Sequence, residues 1–505
     1  MLLVAAKRPT AATQITVWIV VLIACSHFAQ SQSPESEWLS TLPIEGNVND
    51  YELDELFTVQ RSMQQGFPEP VVVPTGSGVG GQASPLRQAD SMDPVRVDRS
   101  AAMQLPVRVG YDGGFTIASQ RELELGADAY PYWLRINGYG QMRDTIFDSE
   151  QPDLSPDLNQ LQLKRARIVF QGHAFSPDIA YFLQLDGRSN SGDNLRILDY
   201  YLKFDVGHQA MNLASGTLGL KAGLYKMPFT LARHLSGKQF EFADRSMASI
   251  YFDVNRSLAW GLYGATTGLE RPIYWDLALF NGLVTGGAET GSSGTLDNNN
   301  AFSMTAYCYP TGEWGHGELA DFDVHDRLAT RIGGGVAFST IDRTGTTEFD
   351  ALRVVDSGRR LSSLLPDTVD QYSVALFSVA ASMKYLGLSS TLEYYFRNVS
   401  EFKGASVPDL YDQGMWLQFG YFAIAKKLQL LTRWSRVSGN SGTLGVRNQE
   451  ANEIAAGAVW YFREQHIKLT LDATYLDGAP INSSALDISP GDIGWLYRTQ
   501  LQFSF

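Results

Sequence analysis

The side chains best suited to chemistry are basic and fall into two clusters. Lys164, Arg165 and Arg167 lie close together, and Lys226, Lys238 and Arg245 share a later stretch with Ser236, Glu241 and Asp244. Arginine, lysine and a serine hydroxyl can replace the water around an anion with several charge-assisted hydrogen bonds. Such groups bind and steer, but do not by themselves break bonds. The chain holds no Gly-x-Ser-x-Gly elbow, no His-Glu-x-x-His, no phosphate-gripping Walker loop and no cysteine pair at metal spacing. His316 and His325 flank Glu318, Asp321, Asp323 and Asp326, which invites a calcium or other metal reading. The charges of a solvated loop account for the same stretch, and that is the expectation carried forward. No cofactor is implied, and the chain is not expected to be an enzyme.

The elements that must hold these groups are strands. The 505 residues are 44% hydrophobic and 19% charged, too apolar for a disordered chain. Beyond the N-terminus no stretch approaches the roughly eighteen uninterrupted apolar residues of a spanning helix, so any membrane crossing falls to strands. From about Tyr132 onward, segments of period-2 alternation are separated by Gly, Asn, Asp, Ser and Pro clusters. The last segment is the clearest. Trp495, Tyr497, Thr499, Leu501, Phe503 and Phe505 share one face, and Leu496, Arg498, Gln500, Gln502 and Ser504 share the other. One face suits lipid and the other water.

A soluble sandwich would alternate too. The closing Phe503-Ser504-Phe505 favours an outer-membrane barrel, since such barrels typically finish on a terminal Phe that the barrel-assembly machinery recognises. Strands are predicted to begin near residues 132, 159, 178, 195, 216, 257, 272, 301, 327, 371, 387, 414, 427, 452, 465 and 494. The expected fold is therefore all-β, a transmembrane antiparallel barrel of about 16 strands, with an even count that returns both chain ends to the periplasmic side. A barrel of that size leaves an aqueous channel.

Other segments set the boundaries. Lys7 and Arg8 precede the apolar run Ile15 to Ala24, and Ala29-Gln30-Ser31 follows, which together read as a Sec signal peptide over residues 1–31. Leu22-Ile23-Ala24-Cys25 also resembles a lipobox, in which Cys25 would carry lipid. With Cys308 the only other cysteine, either outcome leaves no intramolecular disulfide. Residues 32–105 are rich in Pro, Gly, Ser and acids and read as a flexible periplasmic arm; residues 106–505 are assigned to the barrel. Removing residues 1–31 takes away Lys7 and Arg8 and no acid, which moves the formal charge from −14 to −16 and argues against a nucleic-acid partner.

Three segments carry a family likeness. Leu163 to Gly172, with Lys164-Arg165-Ala166-Arg167, resembles the Arg-Arg-Ala-Arg strand of the phosphate-selective porin O and P family. Gly223-Leu224-Tyr225-Lys226-Met227-Pro228-Phe229 is similar to that family's Gly-x-x-Lys-x-Pro-Phe, and His234 to Ser246 to its long loop, with Gly237 and Asp244 where the family has Ser and Glu. Gly110 to Phe115 and Phe280-Asn281-Gly282 extend the resemblance to roughly residues 110–505. It implies a sixteen-stranded porin, usually a homotrimer, in outer-membrane lipid, with the third loop folded inward and small anions such as phosphate binding at the constriction.

Carried onto this sequence, the resemblance nominates Arg135, Arg165, Arg167, Asp199, Lys226, Ser236, Lys238 and Arg245 as pore-lining, anion-binding residues. Parity supports part of this set: Ala166, Ile168 and Phe170 suit lipid, so Arg165 and Arg167 should face inward, while Lys164 falls on the other parity. Arg135 shares a face with Trp133 and Asn137, and Asp199 with Tyr201 and Lys203. A structural reading competes, in which Glu241 and Asp244 neutralise Lys238 and Arg245 and merely pin the loop. Further round, Arg331, Lys384, Arg397, Arg433 and Arg498 share inward parity with Asp276, Glu393 and Asp472, a mixture that weakens selectivity. Two alternatives stay open: a general non-selective porin, and a barrel that mainly anchors or binds at the surface through its polar loops around Asn281 to Asn300 and Glu348 to Asp370.

Overall fold

A computed structural model describes residues 107–505 apart from 112, 120–131, 154–155, 188–194, 286–296, 298, 345, 356–357, 440–443, 445–449 and 479–490. The signal-peptide, lipobox and arm expectations lie outside the described residues. Two short strands come first, β1 (Val107–Tyr111) and β2 (Phe115–Ser119). Sixteen longer ones follow: β3 (Tyr132–Ser149), β4 (Leu158–Ala174), β5 (Ser176–Gly187), β6 (Leu195–Phe204), β7 (Gly219–Lys226), β8 (Arg256–Ala265), β9 (Ile273–Asn281), β10 (Asn300–Thr311), β11 (Ala329–Asp342), β12 (Gln371–Tyr385), β13 (Leu388–Lys403), β14 (Leu410–Ile424), β15 (Leu428–Gly439), β16 (Glu450–Arg463), β17 (Ile467–Asp477) and β18 (Ile493–Ser504). Four short helices lie between strands: α1 (Val206–Met211), α2 (Leu231–His234), α3 (Met247–Phe252) and α4 (Thr346–Phe349).

From β3 to β18 each strand pairs antiparallel with the next, and β18 pairs back onto β3 from Gly494↔Ser149 to Ser504↔Tyr139. Sixteen strands thus close a barrel with no free edge, the form in which strands can cross a bilayer with every backbone group paired. The predicted starts agree to within a few residues, the largest difference being β14, which begins at Leu410. The alternation explains the outer face: Leu258, Trp260 and Leu262 of β8 project outward, with Trp260 65% exposed, while Ser257, Ala259 and Tyr263 are buried inside.

The sequence reading missed β1 and β2. Their hairpin turns at Gly113 and Gly114, where a β-carbon on Gly114 would lie 2.7 Å from the Ile136 carbonyl. β2 pairs with β3 from Phe115↔Ile136 to Ser119↔Tyr132, on the edge that β18 occupies further along. At the junction Gly138 and Phe505 exchange backbone hydrogen bonds of 3.1 and 3.0 Å.

Bulges decide which side chains turn inward. Across β3 and β4, Gln141 pairs with Arg165 but Met142 pairs with Leu163, so Lys164 is the extra residue. An added residue shifts parity by one and turns two successive side chains to the same side. Lys164 and Arg165 are accordingly both buried, at 3% exposure each. Lys164 therefore joins the basic wall, against the parity read from sequence. A second bulge lies between β5 and β6, where Gln184 faces Asp199, Leu185 faces Ile197 and Leu198 is the extra residue.

An apolar core packs against the wall. Met227, Phe229, Met247, Ile250, Tyr251 and Phe252, from the segment between β7 and β8, pack with Val374, Leu376, Tyr395 and Trp416 of β12 to β14. The segment 312–328 between β10 and β11 contributes Phe322, whose ring meets those of Phe422 and Tyr461 at 5.2 and 4.9 Å.

Candidate functional site

The segment between β7 and β8 is tied to strands from all round the wall, and its own folding explains how. α2 is capped by Thr230, whose hydroxyl accepts from Arg233 N at 3.0 Å, and α3 by Ser246, which accepts from Ser249 N at 3.2 Å. A helix N-terminus leaves further N–H groups without a partner and attracts negative charge. Wall side chains take them up. Glu393 of β13 accepts from Leu231 N and Ala232 N at 2.7 and 3.1 Å. Glu453 of β16 accepts from Met247 N at 2.6 Å, and Ser435 of β15 from Ala248 N at 3.0 Å. Asp472 of β17 accepts from Ala243 N at 3.0 Å. The inward acids Glu393 and Asp472, which in sequence look like dilution of a basic lumen, thus serve this segment.

Glu241 and Asp244, which the sequence offers as partners for Lys238 and Arg245, bond to side chains of the wall. Glu241 accepts from Gln418 and Gln429, and burial raises its carboxyl above the ordinary range despite those bonds. Asp244 is held between Arg143, in direct contact, and Arg165 at 2.6 Å. Burial would raise Asp244, but the guanidiniums outweigh it and hold the carboxyl well below the usual carboxylate range.

The other nominated residues are placed as follows. Arg135 is buried on β3 with its guanidinium 5.5 Å from the Trp133 ring. Arg165 also donates to Gln141 at 2.6 Å, and Arg167 contacts Asp186 at 3.2 Å and donates to the Tyr139 hydroxyl at 2.8 Å. Asp199 accepts from Arg256 at 2.8 Å. Lys226 donates to the carbonyls of His234 and Leu235 at 3.3 and 3.1 Å. Ser236 is buried, and its N–H donates to Gln239 at 2.8 Å. The Lys238 carbonyl accepts from Lys468 at 2.7 Å. Arg245 donates to the carbonyls of Ala232 and Leu235 at 2.9 and 3.1 Å, and lies 3.7 Å from Asp253.

These positions separate the barrel into two halves. From β12 to β18 the ion pairs are one to one: Arg397 with Asp412, Arg433 with Glu453 at 2.6 Å, and Arg498 with Asp472 at 2.8 Å. From β3 to β9, cations outnumber acids. Arg143 and Arg165 share Asp244; Arg167 and Arg196 share Asp186, at 3.2 and 2.9 Å; Lys203 and Lys221 face each other across β6 and β7. Arg135 and Lys164 add to the same wall.

Arg143, Arg196, Lys203 and Lys221 were not nominated from sequence. Inward parity on β3 signals Arg143, since it follows Arg135, Asn137, Tyr139 and Gln141 at steps of two, and the same rule marks Lys203 beside Asp199 and Tyr201.

The charges of segment 312–328 are solvated only in part: Asp323 and Asp326 are exposed, as a solvated loop would have them, whereas others turn onto the wall. Asp321 is fully buried, bonded to His325 at 2.5 Å and to Gly387 N at 2.8 Å. His316 pairs with Asp323 at 2.8 Å, Glu318 pairs with Arg331 at 3.0 Å, and Lys384 donates to the carbonyls of Trp314 and His316. His316, His325, Glu318, Asp321 and Asp323 are engaged in these pairs, and no group of three or more able to hold a metal occurs among the described residues.

The sequence profile of the family described as phosphate-selective porin O and P matches residues 136–505. No match was found among curated protein sequences. Similar solved structures include an anion-selective porin from Comamonas acidovorans, at 8% identity and a TM-score of 0.48, covering 74% of this chain and 99% of that one. The trimer form of OmpT, an outer membrane protein of Vibrio cholerae, shows 10% identity and a TM-score of 0.45 over 74% and 99% of the two chains. The outer membrane channel DcaP of Acinetobacter baumannii shows 10% identity and a TM-score of 0.44 over 74% and 97%.

Proposed function

The chain belongs to the phosphate-selective porin O and P family and is an outer-membrane porin, and we propose that it favours small anions, phosphate among them, drawn past a constriction of basic residues. One observation carries the reading: on the β3 to β9 side, Asp244 and Asp186 are each shared by two guanidiniums, and Lys203 and Lys221 face each other across β6 and β7. A permeating ion feels this local field rather than the net charge of −14. In this reading the segment between β7 and β8 folds into the lumen against the β12 to β18 side, leaving the cation-rich wall to the solute. Arg135, Lys164, Arg165 and Arg167 then face the path with Lys203 and Lys221, and a partly dehydrated anion exchanges water for their N–H donors. Passage is diffusion, without catalysis.

The reading extends to the rest of the chain. Residues 1–31 direct export, 32–105 form a periplasmic arm, 106–505 form the barrel, Phe505 is read by the assembly machinery, and three barrels associate in the membrane.

A non-selective porin is the second reading, and the placement of Lys226 and Arg245 favours it: both donate to carbonyls of their own segment and hold it in shape. Reversal potential in planar bilayers under a potassium chloride gradient separates the two. An anion-selective current, blocked by added phosphate and shifted toward cations in Arg135→Gln and Arg167→Gln, is expected. Ohmic current without preference in the wild type would leave the non-selective porin.

A further inference from the structure

The wall formed by β6 to β9 carries a set of groups more specific than positive charge requires. Lys203 faces Lys221 across β6 and β7, and Tyr263 faces Asp276 across β8 and β9. The phenol rings of Tyr225 and Tyr263 lie along the wall because the positions beneath them are glycine. A β-carbon on Gly261 would lie 2.4 Å from the Tyr225 hydroxyl, and one on Gly219 would lie 2.1 Å from Cζ of Tyr263. The lysines are laid over these rings: Lys221 Nζ is 3.9 Å from the Tyr225 centroid and 4.6 Å from that of Tyr201, and Lys203 Nζ is 5.1 Å from that of Tyr263. A ring face favours a cation while leaving its N–H donors directed elsewhere.

Two polar atoms here have no hydrogen-bond partner among the described residues, the Tyr225 hydroxyl and Asp276 Oδ1. Tyr225 is 1% and Asp276 6% exposed. A buried polar group left without a partner costs about 1 to 3 kcal/mol, so two of them on one wall call for an explanation beyond packing. One is a donor and the other an acceptor, beside two ammonium groups.

We propose that this wall is a binding subsite for small α-hydroxy carboxylates. The carboxylate meets Lys203 and Lys221 in charge-assisted bonds. The neighbouring hydroxyl, which can donate and accept at once, donates to Asp276 Oδ1 and accepts from the Tyr225 hydroxyl. A carboxylate lacking the hydroxyl gains the lysines but leaves both atoms as they were and brings its charge near Asp276. The proposal rests on the porin reading only for access of solute to the lumen.

The test is saturation-transfer NMR on the detergent-solubilised full chain with equal concentrations of lactate and propionate, which differ in the hydroxyl alone. With the signal titrated, lactate is expected to bind about thirtyfold more tightly, the ratio that two satisfied hydrogen bonds of about 1 kcal/mol each supply. Tyr225→Phe and Asp276→Leu should each bring the ratio down to about fivefold, with heat-modifiable gel mobility confirming the folded barrel. Should Asp276→Leu fail to fold, Tyr225→Phe decides, because it removes a hydroxyl with no hydrogen-bond partner among the described residues. Equal signals in the wild type, or a ratio unchanged by Tyr225→Phe, overturn the proposal. The readout is binding rather than current, so its failure leaves anion conduction standing, and an unselective current leaves this subsite standing.

Discussion

Asp244 and Arg165 meet at 2.6 Å although 79 residues separate them, and Arg143 contacts the same carboxylate from β3. One acid thereby joins the segment between β7 and β8 to the first two barrel strands and offsets part of a cationic wall. Asp244→Asn keeps the shape and removes the charge. Breaking a buried pair from one side leaves uncompensated charge and costs on the order of 3 to 5 kcal/mol. A lower urea midpoint at unchanged slope is expected, together with a reversal potential shifted further toward anions. An unchanged midpoint would mean that Gln141 and Gln500, which also bond these arginines, suffice without the acid.

Glu348 provides a pH test outside the spanning strands. Burial pushes its carboxyl up to about 7, opposed by the bond from Leu283 N and reinforced by Asp297 and Asp342. In the unfolded chain the group loses its proton near its ordinary value of 4.5, so between there and about 7 the folded state holds a proton that the unfolded state does not. Stability is therefore full below that window and falls as pH rises through it. Unfolding midpoints measured at several values across the window should decline in the wild type and flatten in Glu348→Gln. A parallel decline in both proteins would assign the slope to other groups.

Sixteen strand starts were legible because lipid outside and water inside force a period of two, which a sequence displays directly. The hairpin of β1 and β2 was not, since five residues per strand carry too few alternations to stand out from a loop. The side of Lys164 stays open in the sequence because a bulge resets parity, and the extra residue is visible only once Gln141 and Met142 have partners. The candidate cations were legible as types, but not their partners. Asp244 adjoins Arg245 in sequence yet bonds to Arg143 and Arg165, while Asp253, eight positions on, lies 3.7 Å from Arg245. Ion pairing across a barrel depends on register and on the path of a long connection, neither of which local spacing encodes. Segment 312–328 misled in part for the same reason: some of its charges look solvated until Arg331 and Lys384 are brought beside them.

Gly335 tests how closely the β7 to β8 connection is seated on the wall. A β-carbon there would lie 2.1 Å from the Phe229 carbonyl and 2.8 Å from that of Met304, both backbone atoms that cannot swing aside. The Phe229 carbonyl also accepts from the Ser378 hydroxyl at 3.0 Å. Gly335→Ala must therefore displace the connection or distort β11, at a cost of about 1 to 3 kcal/mol. Noisier single-channel current with a barrel of normal heat-modifiable mobility is the expected result. Quiet wild-type current would show that the connection can shift without affecting the path.

The seam between β3 and β18 makes the last prediction. Phe505 exchanges both backbone hydrogen bonds with Gly138, and its ring lies 6.1 Å from Phe115 and 6.4 Å from Phe503. Below this point β3 no longer faces β18 but β2, so Phe505 occupies the place where one partner gives way to the other. Deleting it leaves the Gly138 N–H and carbonyl without partners at a strand edge, costing about 1 to 3 kcal/mol for each group shielded from water, and removes the ring on which Phe115 packs. Phe505→Leu keeps the backbone pair and loses only the aromatic contact. Refolding into detergent, followed by heat-modifiable mobility, should therefore rank the wild type above Phe505→Leu and both above the deletion. If the deletion refolds as fully as the wild type, closure is complete at Ser504 and the hairpin seals nothing; if Phe505→Leu falls as low as the deletion, the ring rather than the backbone pair secures the seam.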